Sequence, residues 1–413
     1  MTTNRVSRKK LVSALFCLSF LMIVTISLAA VAAAGSESSE RWVGTWAASQ
    51  QLVERHNLPP EPGLAYNTLR QVVRVSIGGD QLRLKLSNQY GISELEIESV
   101  HIAQSAGGHR IVPETGKYVT FSGKQSVTID PIETVVSDPI EFSLDPLSTV
   151  AITIKFGDVP RTITGHPGSR TTSYIVPGNG VDLETMPNAV TTERWYIIAG
   201  IDVLADSPDC AAVVVLGDSI TDGRGSTTDQ NNRWPDILAN RLQADSDTAH
   251  IAVLNHGIGG NAVVAGGLGP TLYSRFERDA LDQPGVRWLI ILEGVNDIGG
   301  SSSMKTAEDL IDAYRYFINE AHNRGLLVYG ATILPFGGSG YYSPLREQIR
   351  QTVNDWIRTS GEFDAVIDFD AALRDPDDPE KLYYLYDSGD NLHPSAAGYQ
   401  KMGETVDLSL FSK

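Results

Sequence analysis

Four short stretches of the chain carry residues whose types could do acyl-transfer chemistry. The first is "VVVLGDSITDG", where four apolar residues, mostly β-branched, run into Gly217-Asp218-Ser219. A serine hydroxyl is a weak nucleophile until a base takes its proton. The fourth stretch, "DSGDNLHPS", supplies a base in His393, and Asp390 three residues earlier is placed to bond the other imidazole nitrogen and fix the tautomer. Between them lie "NHGIGGN", Asn255 to Asn261, and "EGVNDIGG", with Asn296 and Asp297. A tetrahedral intermediate needs donors aimed at its oxyanion, and the Ser219 and Gly260 N–H groups with the Asn296 amide suit that task. Glycine at 260 removes a Cβ from the path of an approaching substrate. Asp218 and Asp222 are expected to bond loop N–H groups.

Each stretch gains weight from the element before it. "AAVVVLG", "IAVLN", "VRWLIILEG", "LLVYGATIL" and "FDAVIDF" are short apolar runs with the composition of buried strands, and helical patterns separate them. Trp234, Ile237, Leu238 and Leu242 share one helical face, with Pro235 in the first turn. Leu310, Tyr314, Phe317, Ile318 and Ala321 form a second stripe, preceded by Thr306 and Asp309 as an expected capping box and ended before Gly325. Ser343-Pro344 opens a third helix, to about residue 359. This alternation predicts a parallel five-stranded sheet covered by helices on both faces, a doubly wound three-layer α/β/α fold. Ligands of such sheets bind outside the carboxyl ends of the strands. The reactive stretches follow the first, second, third and fifth runs, so the fold brings them to one rim. Tyr341 and Tyr342 in "FGGSGYYSP" follow the fourth and are expected on the substrate rim.

Upstream the rhythm changes. "QVVRVSIGGDQLRLKLSNQYG" alternates Val73, Val75, Ile77 and then Leu82, Leu84, Leu86, with Gly78-Gly79-Asp80 reading as a hairpin turn. Similar alternation continues to about residue 205 without a helical pattern. Residues 41–205 are therefore expected to form an all-β sandwich or jelly-roll domain, and 206–413 the α/β domain. Residues 1–34 read as a secretory signal, with four positive charges, an apolar run and a small-residue cleavage site before a polar linker at 35–40. An uncleaved N-terminal membrane anchor is the alternative. Cleavage implies an extracellular or periplasmic protein with no stable membrane association, and takes the formal net charge from −17 to −21. So acidic a chain is not expected to bind nucleic acid. Cys17 leaves with the leader, so Cys210 has no intrachain partner.

"GDSIT", "NHGIGGN", "GVND" and "DNLHPS" resemble, in order, the four signature blocks of the GDSL-type SGNH hydrolases, esterases and lipases with a flavodoxin-like α/β/α fold. The resemblance spans roughly residues 210–412. It implies Ser219 as nucleophile, Asp390 and His393 as the rest of a triad, and Ser219, Gly260 and Asn296 as the oxyanion hole, with Gly259 the fallback for Gly260. No cofactor or metal is expected, since no P-loop is present and His101, His109, His166 and His256 show no ligand spacing. Asn391-Leu392 departs slightly from the family, where glycine plus an aliphatic residue is common. The flanking "NRWPDIL" and "RFERDALDQPGVRWLIILEGVNDIG" resemble a secreted branch containing carbohydrate esterases, and imply removal of acetyl groups from a polysaccharide such as xylan. A short-chain arylesterase or lipase is the alternative within the class, and a glycan-binding protein on an inactive hydrolase scaffold is the alternative outside it. "GIGGNA" also fits a dinucleotide fingerprint, but the glycine-rich "VVAGGLGP" that follows cannot start the helix such a site requires.

Overall fold

The computed structural model describes residues 41–412, so the expected leader and anchor lie outside the described residues. Strand Ala211–Gly217 is buried along its whole length, as its unbroken apolar sequence requires. It lies between Ile251–Gly257 and Val286–Leu292, and Leu327–Ala331 and Ala365–Ile367 extend the sheet beyond the latter. All four pairings are parallel. In chain order the sheet reads 2-1-3-4-5, so the strand order reverses beside the first strand. A parallel crossover is right-handed, so the step from first to second strand and the steps from third to fifth place their helices on opposite faces. Trp234–Ala244 belongs to the former step and packs with the C-terminal helix Ala396–Thr405. Lys305–Asn323 and Pro344–Thr359 belong to the latter and pack on each other. The expected stripe from Leu310 to Ala321 is buried, and Ser343 caps its helix through the Arg346 N–H. The expected Thr306/Asp309 capping box is not formed. The helix starts at Lys305, whose ammonium pairs with Asp309, while Thr306 bonds Ser301 instead.

The N-terminal half contains antiparallel sheets of five and seven strands and a small sheet of three. Thr68–Arg74 and Gly79–Ser87 are not the expected hairpin. The first pairs with Thr149–Phe156 and Ser173–Val176 in the seven-stranded sheet, and the second pairs with Ile198–Leu204 in the five-stranded one. The Gly78-Gly79 segment therefore crosses from sheet to sheet. It is held close against the chain, since a Cβ on Gly78 would stand 2.2 Å from the Leu144 carbonyl oxygen. The expected core positions are buried, Leu82, Leu84 and Leu86 fully and Val73 nearly so, but Thr68, Arg70 and Gln71 are buried as well, so the first strand is covered on both faces.

Among the described residues, those from Trp42 onward form one compact unit. Strand Trp42–Ala47 closes the five-stranded sheet and packs against Ile251–Gly257, where Gly44 leaves room for the Leu254 side chain. The Ser76 hydroxyl accepts from the Val253 N–H at 3.0 Å, and a continuous apolar core runs through both halves. Cys210 is buried and unbridged.

Candidate active site

Ser219 stands where the first strand ends. Gly217 closes the strand, and Asp218 caps a single helical turn, Ser219–Asp222, by accepting from the Ile220 N–H at 2.9 Å. Gly223 ends the turn at φ +100°, a left-handed conformation that glycine adopts without penalty. Ser219 is thus the first residue of the turn, where the backbone N–H has no intrahelical acceptor. The hydroxyl lies 2.8 Å from His393 Nε2, and His393 Nδ1 lies 2.7 Å from Asp390 Oδ2. Ser219 and His393 are each 7 % exposed, whereas the Asp390 side chain is 44 % exposed. The second Asp390 oxygen accepts from the His393 N–H at 2.8 Å and the Leu392 N–H at 3.0 Å. Serine and histidine lie 174 positions apart in the chain, and the sheet brings them together.

The electrostatics favour a neutral imidazole beside an ionised carboxylate. Burial pushes the His393 pKa below its ordinary value and outweighs the opposing pull of Asp390, with Arg224 and Arg170 adding to the depression. Burial alone would raise the Asp390 carboxyl. The two backbone N–H groups and the imidazole overcome it and hold the carboxyl below the usual range.

The loop after the second strand is fastened at its start. The Ile258 N–H donates to Gly217 O at 3.0 Å, and the Asn255 amide donates to Thr221 O at 2.9 Å. Gly257 is required by this closeness, because a Cβ there would meet the Asp222 nitrogen at 2.3 Å. Gly260 turns the chain at φ +73°, and Leu268 lies over it. Asn261 then links the loops. Its side-chain amide donates to Leu268 O and Pro270 O, and its carbonyl accepts from Asn296 Nδ2 at 2.7 Å. Asp297 accepts from the Val263 and Val264 N–H groups and ties the same loop to the third strand. The chain past Ala262 forms turns, with no helix until Leu272, as the glycine-rich run requires.

Three of the five residues expected at the catalytic centre, Ser219, His393 and Asp390, are joined directly by these bonds, while Asn296 is tied to the Gly260 loop through Asn261. The two tyrosines divide. The Tyr341 hydroxyl donates to Asn296 Oδ1 at 2.9 Å, whereas the Tyr342 hydroxyl turns away to Glu380 at 2.6 Å.

Sequence reading misses two groups. Arg275, fully buried, donates to Asn261 Oδ1, His256 O, Gly217 O and Ser49 and pairs with Asp279 and Glu293, so one guanidinium gathers the loops after three strands. From the N-terminal half, His166 Nε2 lies 2.8 Å from Asp222 Oδ1, and Arg170 reaches Asp222 Oδ2 at 3.5 Å. Asp222 therefore bonds side chains, not the loop N–H groups expected. Asp218 and Glu293, both wholly buried, are pushed up to about 7 and about 8, chiefly by desolvation. Among the described residues no cluster of His, Cys, Asp and Glu could hold a metal ion, and no helix is long and apolar enough to cross a membrane.

Residues 215–401 match the sequence model of the GDSL-like lipase/acylhydrolase family. The match places a GDSL-like lipase/acylhydrolase domain in the C-terminal part of the chain, on the parallel five-stranded sheet. No curated protein matches the chain. Among solved structures it is similar to a G-D-S-L family protein from Desulfitobacterium hafniense, at 26% identity over 47% of this chain and 97% of that one, with a TM-score of 0.37. It is similar to an acetylxylan esterase from Geobacillus stearothermophilus at 22% identity, over 47% of this chain and 91% of that one, with a TM-score of 0.37. A GDSL-like lipase from Bacteroides thetaiotaomicron is 17% identical over 48% of this chain and 87% of that one, with a TM-score of 0.35.

Proposed function

We propose that the protein is a secreted serine ester hydrolase that removes acetyl groups from a polysaccharide such as xylan. The observation that carries the hydrolase reading is the unbroken chain from Ser219 Oγ through His393 to Asp390 at the carboxyl end of the sheet. The substrate class rests on the resemblance of the segments flanking Arg233 and Arg275 to carbohydrate esterases, and secretion rests on the leader sequence.

In this reading His393 Nε2 takes the Ser219 proton as Oγ attacks the ester carbonyl. The C–O π bond opens, and the oxyanion accepts from the Ser219 and Gly260 N–H groups and from Asn296 Nδ2. Collapse expels the alcohol, which leaves with the proton held on His393. Water then gives a proton to the same nitrogen and attacks the acyl-serine. A second collapse frees the carboxylic acid and returns the proton to Ser219. Asp390 keeps the Nδ1–H tautomer and faces the imidazolium in both steps. No step requires a metal or cofactor.

Ser219→Ala against wild type tests the reading with p-nitrophenyl acetate, p-nitrophenyl octanoate and acetylated xylan, following released acid. Wild-type turnover of the acetyl substrates, loss of about 10⁶-fold in the variant and an unchanged melting temperature are expected. An active Ser219→Ala would overturn the nucleophile assignment. A preference for octanoate would replace the acetylesterase reading with the lipase one.

A further inference from the structure

Asn296 has two polar ends, and the structure fills both. Its Nδ2 donates to Asn261 O at 2.7 Å, and its Oδ1 accepts from the Tyr341 hydroxyl at 2.9 Å. This pairing sets the orientation of the amide. Only the NH₂ end can meet a carbonyl oxygen, so the carbonyl end must face the tyrosine. One of the two Nδ2 hydrogens is taken by Asn261. In the oxyanion reading the other is the one that meets the substrate oxygen.

Tyr341 is itself held. Its ring lies against Gly299, at the end of the short helix Val295–Gly299 that carries Asn296, and a Cβ on Gly299 would come 2.3 Å from the ring. Arg346 donates to Tyr341 O at 3.1 Å and to Ser301 O at 2.9 Å, bracing the loop after the fourth strand against the segment following that helix. The Tyr341 N–H bonds Ser339 Oγ. Burial raises the Tyr341 pKa, so the hydroxyl keeps its proton and remains a donor.

We propose that Tyr341 is a positioning residue for the oxyanion hole, its hydroxyl fixing and polarising the Asn296 amide so that the second Nδ2 hydrogen meets the oxyanion in the transition state. The inference rests on the reading of Asn296 as an oxyanion donor. A hydrogen bond to the amide oxygen draws electron density from Nδ2 and strengthens its remaining N–H as a donor. Without that bond the amide keeps Asn261 as an anchor but gains freedom to tilt. The contact matters most when charge develops on the substrate oxygen, so it acts on kcat and leaves ground-state binding nearly untouched.

The test is a double-mutant cycle of Tyr341→Phe and Asn296→Ala, with kcat and KM measured on p-nitrophenyl acetate. Phenylalanine keeps the ring against Gly299 and removes only the hydroxyl, and melting temperatures report whether each variant folds. Tyr341→Phe alone is expected to lower kcat about 2- to 10-fold, the range for one neutral hydrogen bond, with KM unchanged. Asn296→Ala is expected to lower kcat about 10²- to 10³-fold. In the Asn296→Ala background Tyr341→Phe should cost nothing further, because its partner is gone. Equal losses in both backgrounds, or a rise in KM with kcat unchanged, would overturn the inference while leaving the oxyanion reading intact. Full turnover by Asn296→Ala would remove the oxyanion reading and this inference with it.

Discussion

Asn in place of Asp390 should be more damaging than Ala, and the structure gives the reason. Asp390 Oδ1 accepts from two backbone N–H groups, at 2.8 and 3.0 Å, and Oδ2 faces His393 Nδ1 at 2.7 Å. In Asp390→Asn the amide oxygen must take the place facing the two N–H donors, because the NH₂ group would repel them. The NH₂ group is then forced onto His393 Nδ1, which must become the acceptor. The imidazole proton moves to Nε2, the atom that has to accept from Ser219, and the base is blocked. The expected loss in kcat is about 10⁴-fold, the size seen when the wrong tautomer is imposed on a triad histidine. Ala imposes no tautomer and loses only the carboxylate's attraction for the imidazolium. For unit charges about 4 Å apart that attraction is about 1 kcal/mol in water and about 4 kcal/mol at an effective dielectric constant of 20. The side chain is 44 % exposed, so the value falls between these limits. Asp390→Ala should therefore lose between about 5-fold and about 10³-fold. Steady-state hydrolysis of p-nitrophenyl acetate at pH 8, with circular dichroism to verify folding, measures both variants. An Asn variant as active as the Ala variant would refute the pinned-carboxylate argument.

Further outcomes follow from the same geometry. In the proposed mechanism His393 is a neutral base, and burial depresses its pKa, so kcat/KM should rise through an acid limb centred below about 6.5 and stay flat above it. Arg224→Gln should move that limb upward at low salt, and a limb above pH 7 in the wild type would contradict the assignment. Glu293 has a folded pKa of about 8, above its ordinary 4.5, so its contribution to stability is complete at acid pH and is lost as pH rises through that window. Melting temperatures of Glu293→Gln should decline less between pH 5 and pH 8 than those of wild type, and equal slopes would exclude Glu293 as the source. Gly168→Ala places a Cβ 1.8 Å from Asp222 Oδ2. It should cost about 1–3 kcal/mol by urea denaturation, with a fall in kcat as the Ser219 turn shifts. Unchanged stability and turnover would show that the loop yields freely.

The polar residues after each buried run could be read as one rim because a parallel sheet leaves few alternatives. Strand–helix alternation dictates the layers, right-handed crossovers dictate the side on which each helix lies, and every loop leaving a carboxyl end opens on the same edge. The meeting of Ser219, His393 and Asp390 depends on that logic more than on any single side chain. The N-terminal half obeyed a weaker rule. Period-two alternation states which residues of Thr68–Arg74 and Gly79–Ser87 face the core, and those apolar positions are buried in both, although the first strand also buries Arg70 on its other face. It is silent on which strand lies alongside, since backbone hydrogen bonds read no side chains. The glycines between them served as a crossing between sheets instead of a hairpin turn.

What the sequence by itself determined is therefore the local apolar period, the order of the motifs and the residue types able to perform the chemistry. The tertiary structure decided the partnerships made across long separations. Arg275 gathering three loops, His166 and Arg170 on Asp222 from the other half of the chain, and the Tyr341 hydroxyl on Asn296 carry no spacing signal. The physical reason is the short range of a hydrogen bond. It forms within about 3 Å, and only the completed packing of the core determines which distant side chains come that close.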